Sequence, residues 1–235
     1  MTFNKKRSIL VGLLIILFAV GFYYMPTIVK AQQFSEAMDM KNIEHTFISM
    51  DEFLPSKTLN KSEDPFVFPR VPNVSLPSQF TLDETTFSTI NFLDSSYTQG
   101  LIVIKNDTIE FEEYYRGQHE ESNHISWSMA KSYISSLFGI ALEDGHIGSV
   151  EDKVETYLPQ FVGTGYEGVK IKDVLQMSTG VKFDETYSDP KSDISRYWTG
   201  FMTGKSQDKF AETLVREREP GTYNHYVSIL SLIHI

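Results

Sequence analysis

A chain of 235 residues with 41% hydrophobic and 22% charged positions can bury one sizeable core and is not disordered in composition. Its formal net charge of -10 at pH 7 argues against a nucleic-acid partner, which would select a basic patch. The absence of cysteine removes disulfides, thiolate zinc sites and cysteine nucleophiles together.

At the N-terminus, Lys5-Lys6-Arg7 precede an almost uninterrupted apolar stretch over residues 8–25. That length crosses a bilayer, and the basic flank orients it with the charged end inside. Residues 1–31 are therefore read as a signal anchor that holds the rest of the chain outside the cytoplasmic membrane. A cleaved signal peptide, leaving a secreted or periplasmic protein, is the rival reading, since Val29 and Ala31 are small residues placed for a cut before Gln32. The stretch exceeds the usual length of a signal-peptide apolar region, which favours the anchor.

Residues 32–78 carry Pro55, Pro65, Pro69, Pro72 and Pro77 among polar and aromatic positions, and read as a linker and irregular lead-in. A single domain is expected over 79–235. Within it, Leu101-Ile102-Val103-Ile104 and Thr108-Ile109-Glu110-Phe111 are strand-like runs joined through Lys105-Asn106-Asp107, a hairpin signature. Next comes Ser128-Met129-Ala130-Lys131, at the head of an apolar segment that predicts a buried helix ending near Gly145.

Serine and lysine three positions apart share one helix face, so the amine reaches the hydroxyl within a turn. A serine hydroxyl is a weak nucleophile near neutral pH and needs a neighbouring base. Lysine serves as that base when apolar surroundings destabilise its ammonium form, and Ile125, Trp127, Met129 and Ala130 are candidates for those surroundings. The first turn of a helix adds unpaired amides and a positive dipole end that favour developing negative charge.

Ser-x-x-Lys also occurs at Ser188 to Lys191 and at Ser206 to Lys209. The first of these contains Asp189-Pro190 and reads as a turn; the second reads as an N-cap on a solvated helix running on to Val215. For Ser128 itself, a plain helix start with a surface lysine is the competing reading on spacing alone.

The stretch SWSMAKSYISSLFGIALEDGHIGSVEDKVETYLPQF over 126–161 resembles the nucleophile region of the serine beta-lactamase-like and penicillin-binding-protein-like hydrolases. IKDVLQMSTGVKFDE over 171–185 and EPGTYNHYVS over 219–228 resemble the segments that follow in order in that superfamily. The resemblance implies an α+β fold, an antiparallel sheet flanked by helices plus an all-helical region. It implies Ser128 as nucleophile, Lys131 as base, and Tyr226 of Tyr226-Val227-Ser228 as the phenol that relays a proton, with Ser228 supplying a hydrogen bond. Serine in place of the commoner asparagine points away from an efficient beta-lactamase and towards the branch of esterases and aminohexanoate-oligomer hydrolases. In that branch Tyr187, in Asp184-Glu185-Thr186-Tyr187-Ser188-Asp189-Pro190, matches a substrate-contacting tyrosine, with a surface turn as the alternative. Tyr133-Ile134-Ser135 also fits Tyr-x-Ser, but a tyrosine inside the expected buried helix is more simply core.

The third motif of the superfamily, Lys-Thr-Gly or a His-x-Gly variant on a late strand, is not found after Ser228, where the chain ends in the apolar run Ile229-Leu230-Ser231-Leu232-Ile233-His234-Ile235. The sequence is thus expected to be C-terminally truncated, with its last several residues read as candidates for lying outside the native reading frame, and the fold incomplete at that end. His119 and His124 lie five apart and miss the helical spacing of a zinc site, so no metal and no cofactor are assigned. His146 reads as a helix-end residue and His225 as either a tuner of Tyr226 or an exposed loop residue. Trp198 lines the cleft or anchors its loop.

The leading expectation is a membrane-anchored serine hydrolase that forms an acyl-enzyme on the ester, amide or beta-lactam carbonyl of a small or peptide-like substrate. A penicillin-binding D-alanyl peptidase and a non-catalytic cell-envelope binding or sensor module are the alternatives.

Overall fold

The computed structural model describes residues 5–232 apart from residue 73; the last three positions of the C-terminal apolar run, Ile233-His234-Ile235, lie outside the described residues. Helix α1 spans Lys5–Ala37 and carries Pro26 without breaking. It outruns the expected stretch over 8–25, because the residues after Pro26 lack a further breaker. Within its section Ile9–Ala37 an 18-residue apolar window reaches a mean hydropathy of 2.3, and none of that window is buried. Two compact units are distinguished, Gln32–Ile125 on the one hand and Met1–Ala31 with Ser126–Ile235 on the other.

In the 32–125 unit, the short helix α2 (Ile43–Thr46) is tied to the end of α1 where the buried Thr46 hydroxyl donates to the Ala37 carbonyl at 2.6 Å. Strands β1 (Gln79–Leu82) and β2 (Thr85–Ser88) pair antiparallel around Asp83 and Glu84, both with positive φ. Phe80 and Phe87 stack across that pair, and Phe92 of α3 (Thr89–Ser95) packs edge-on against both rings.

The expected second hairpin is present as β3 (Gly100–Lys105) and β4 (Thr108–Tyr114), paired antiparallel with a bulge at Val103/Ile104. Its turn is Asn106-Asp107, with φ of 50° and 56°, the left-handed pair that a two-residue hairpin requires. Alternation along β4 buries Ile109 and Phe111. Part of the expected lead-in lies along this strand, since the Ile109 amide donates to Pro69 and the Val71 and Val74 amides donate to Ile109 and Glu110. The antiparallel sheet is thus realised among the described residues as two separate two-stranded pairs.

The other unit continues with α4 (Ala130–Glu143), α5 (Val154–Tyr157), α6 (Ile171–Leu175), α7 (Asp193–Met202) and α8 (Gln207–Glu212). Helix α4 stops as expected: Asp144 is its C-cap and Gly145 follows at φ 76°. Its expected burial is not observed, because none of its described residues is buried. Tyr133, expected in a core, is exposed along with Leu137 and Ile140 on the same stripe. Apolar periodicity gives a helix the capacity to be buried; burial itself needs a partner layer.

The core of this unit lies further along the chain, where Phe161, Tyr166, Val174, Val181, Phe183, Ile194, Leu214, Val227 and Leu230 pack together. Each large apolar side chain fully withdrawn from water there contributes about 1.5–3 kcal/mol before entropy is counted.

Candidate active site

Ser128 belongs to a tight 3-10 turn, Trp127–Met129, that leads directly into α4. Trp127 holds φ at 45°, a left-handed conformation that costs a bulky residue about 1–3 kcal/mol and turns the chain sharply just before the serine. One helical turn on, Lys131 Nζ donates to Ser128 Oγ at 3.2 Å. The spacing alone accounts for this contact. The apolar wall expected around the amine is only partly realised: Lys131 is half-buried, but Trp127, Met129 and Ala130 are exposed.

Tyr226 arrives from the far end of the unit. Its hydroxyl donates to Ser128 Oγ at 2.7 Å, and Lys131 Nζ lies 5.4 Å from the centre of its ring. Ser128 Oγ therefore sits within hydrogen-bond reach of an amine and a phenol at once.

The delivery of Tyr226 is built from backbone contacts. Gly180, at φ 72°, accepts from the amides of Glu217 and Arg218 and starts the return segment alongside residues 176–183. The Pro220-Gly221-Thr222 turn follows, Gly221 at φ 78° donating to Ser178 at 2.7 Å. Asn224 Nδ2 then donates to the Gln176 carbonyl at 2.8 Å, and the His225 amide donates to Met177 at 2.7 Å. His225 Nε2 lies 2.9 Å from the Phe183 carbonyl, which assigns the proton to that nitrogen. His225 is half-buried and fastened on both its amide and its ring, which corrects the reading of it as an exposed loop residue. Val227, fully buried, anchors the residue after Tyr226 in the core.

Ser228 directs its hydrogen bond inward: its Oγ donates to Glu185 Oε2 at 2.9 Å and its amide donates to Glu185 Oε1. Tyr187 Oη lies 3.4 Å from Ser228 Oγ with its ring largely exposed. All five residues expected at the site, Ser128, Lys131, Tyr226, Ser228 and Tyr187, thus fall into one connected group. Glu185 joins them and was not foreseen. The signal for it was the alternation over 181–185, where Val181 and Phe183 are buried and Lys182 and Asp184 exposed, so the next inward position is Glu185.

Other candidates resolve locally. Ser206 is the N-cap of α8 and accepts from the Lys209 amide at 3.3 Å; the helix closes at Glu212, short of Val215. Residues 187–191 form a turn, as Asp189-Pro190 required. Trp198 packs against the core between Tyr197 and Phe201 and anchors α7. His119 donates its amide to Ser122 Oγ, and His124 bonds Gln99 and the Ile125 carbonyl. No group of three or more metal-binding side chains occurs among the described residues.

Comparison with known proteins places this geometry in context. A family profile described as "Beta-lactamase" matches residues 98–232. Over 105 residues, 45% of this chain, the sequence is 26% identical to the 6-aminohexanoate-dimer hydrolase of Paenarthrobacter ureafaciens, and it covers 26% of that protein. A solved structure described as "Putative 6-aminohexanoate-dimer hydrolase from Bacillus anthracis" superposes with a TM-score of 0.68 at 18% identity, covering 84% of this chain and 54% of the other. The chain thus spans about a quarter of the first relative's length and about half of the second's.

Proposed function

On the premise that the chain belongs to the beta-lactamase family, matched over more than half its length, we propose that it carries the nucleophile-bearing part of a serine hydrolase. The observation that carries this reading is the placement of Ser128 Oγ 3.2 Å from Lys131 Nζ and 2.7 Å from Tyr226 Oη. Ser128 attacks a carbonyl carbon while Lys131 accepts its proton. The tetrahedral oxyanion is held by the Ser128 amide at the start of the α4 turn, together with a second donor. Collapse expels the leaving group with a proton passed through Tyr226, leaving an acyl ester on Ser128. Water then attacks that ester, its proton taken back through the same pair.

The name of the Paenarthrobacter relative describes hydrolysis of an aminohexanoate dimer, which favours amide and ester carbonyls for this chain over beta-lactams. The serine at position 228 points the same way. For location, we infer that α1 is a membrane anchor. Its apolar section Ile9–Ala37 is supported by the preceding Lys5-Lys6-Arg7, which would lie on the cytoplasmic side.

A fluorophosphonate probe tests the chemistry directly on the protein expressed from its complete reading frame. Labelling at Ser128 that both Ser128→Ala and Lys131→Ala abolish is the expected result; a folded wild-type protein that stays unlabelled overturns the hydrolase reading and leaves a binding module of the same fold. Carbonate-resistant membrane association, lost when residues 1–31 are deleted, checks the anchor.

A further inference from the structure

We propose that Glu185 is a positioning residue for the Tyr226-Val227-Ser228 segment, acting through Ser228, an inference that rests on the hydrolase reading above. Its carboxylate is half-buried on the inward side of the extended stretch that carries Val181 and Phe183. Both of its oxygens are committed to one residue, Oε1 to the Ser228 amide and Oε2 to the Ser228 hydroxyl at 2.9 Å. Only an ionised carboxylate offers two acceptors side by side with no proton of its own, and charge-assisted bonds of this type are the stronger ones.

Two consequences follow from that clamp. The first is geometric: Tyr226 lies between Val227, buried in the core, and the two tethers on His225, while Ser228 is held from the opposite side by Glu185. The phenol at 2.7 Å from Ser128 Oγ is therefore fixed from both flanks. The second is directional. A serine hydroxyl has one proton, and Glu185 takes it, so Ser228 Oγ faces Tyr187 Oη at 3.4 Å as an acceptor and the Tyr187 hydroxyl is the donor.

Glu185→Gln keeps the shape and changes one acceptor into a donor. Either the Ser228 amide or the Ser228 hydroxyl then meets an N–H group. The acceptor pair is broken while the packing stays.

The test is a double-mutant cycle in the protein expressed from its complete reading frame, with Glu185→Gln, Ser228→Ala and the pair. Readouts are the fluorophosphonate labelling rate at Ser128, the kcat and KM for a p-nitrophenyl ester, and the melting midpoint. Glu185→Gln is expected to slow labelling by about tenfold to a hundredfold. The loss is expected in kcat rather than KM, with the melting midpoint little changed. In the Ser228→Ala background the same substitution should cost less than about threefold, because the two act as one unit. Labelling of Glu185→Gln at the wild-type rate overturns the proposal, as do single effects that simply multiply in the pair. Should Glu185→Gln fail to fold, Ser228→Ala removes the hydroxyl arm alone, and an unchanged rate in that variant overturns the proposal. An unlabelled, folded wild type removes the hydrolase reading and this inference together, whereas a labelled wild type with an indifferent Glu185 removes only the inference.

Discussion

Tyr226 Oη lies 2.7 Å from Ser128 Oγ across 98 residues of sequence, whereas Lys131, three residues from the serine, lies 3.2 Å away. Helix geometry alone produces the lysine contact. The tyrosine contact exists only because the strapped segment from Gly180 to Ser228 is folded, so it reports on the tertiary structure as well as on the chemistry.

That difference predicts how Tyr226→Phe behaves. The ring is 44% exposed, and its neighbour Val227 supplies the core anchor, so deleting the hydroxyl should leave the melting midpoint close to that of the wild type. Acylation of Ser128 should nonetheless fall by about a hundredfold or more, the range assigned to a positioned proton-transfer group. Labelling rate measured beside thermal unfolding separates the two effects. A variant that keeps its rate would show that Lys131 serves the reaction unaided.

The other two Ser-x-x-Lys copies provide internal controls. Ser206→Ala removes the acceptor for the Lys209 amide at the start of α8, and should cost about 1 kcal/mol of stability without loss of labelling. Ser188→Ala lies in an exposed turn and should change neither quantity. Urea denaturation and probe labelling of the pair, next to Ser128→Ala, check both statements. Loss of labelling in either control would remove Ser128 from its assigned place.

How much of this was legible beforehand differs by the range of the interaction. The β3–β4 hairpin, the Gly145 stop and the Ser206 cap are decided within a few residues, by backbone conformation and local hydrogen bonds, and the sequence patterns identified all three. The group Ser128, Lys131 and Tyr226 was reachable because family resemblance substitutes for the long-range folding that links them. Glu185 was not, since its partner Ser228 lies 43 residues away, and the alternation over 181–185 that marks an inward position does not say what an acidic residue there would bind. The exposure of Tyr133 and Leu137 was missed for the opposite reason: their spacing describes a face, and nothing in a single helix states what covers it.

A pH dependence of stability follows from Tyr197. Burial against the core pushes its phenol up to about 12 from an ordinary value of 10.0, and its hydroxyl donates to Gln207 at 2.7 Å. The neutral phenol is the form the folded state accepts, so the unfolded chain ionises first as pH rises. Its stabilising contribution is whole below pH 10 and is lost between about 10 and 12. Tyr197→Phe should therefore show a shallower fall in unfolding free energy from pH 9 to pH 11 than the wild type, read by urea titration at each pH. Parallel curves would mean that the phenol ionises equally well in both states.

The strongest structural constraint on the site lies at Gly180. It combines φ of 72° with a position where an added Cβ would stand 2.2 Å from the Arg218 carbonyl oxygen, a backbone atom that cannot swing aside. Gly163 shares the conformation, at φ 80°, but has nothing within 4 Å of the added carbon. The two glycines therefore separate conformational cost from steric cost. Gly163→Ala should lose only the left-handed penalty, about 1 kcal/mol. Gly180→Ala must also displace the return segment that Gly180 binds through the amides of Glu217 and Arg218, and should lose at least about 2 kcal/mol more. Because that segment carries Tyr226 to Ser128, Gly180→Ala should slow labelling even at temperatures where it remains folded, while Gly163→Ala should not. Denaturant midpoints and labelling rates for the two variants decide it, and equal losses in both would show that the return segment adapts to a side chain at position 180.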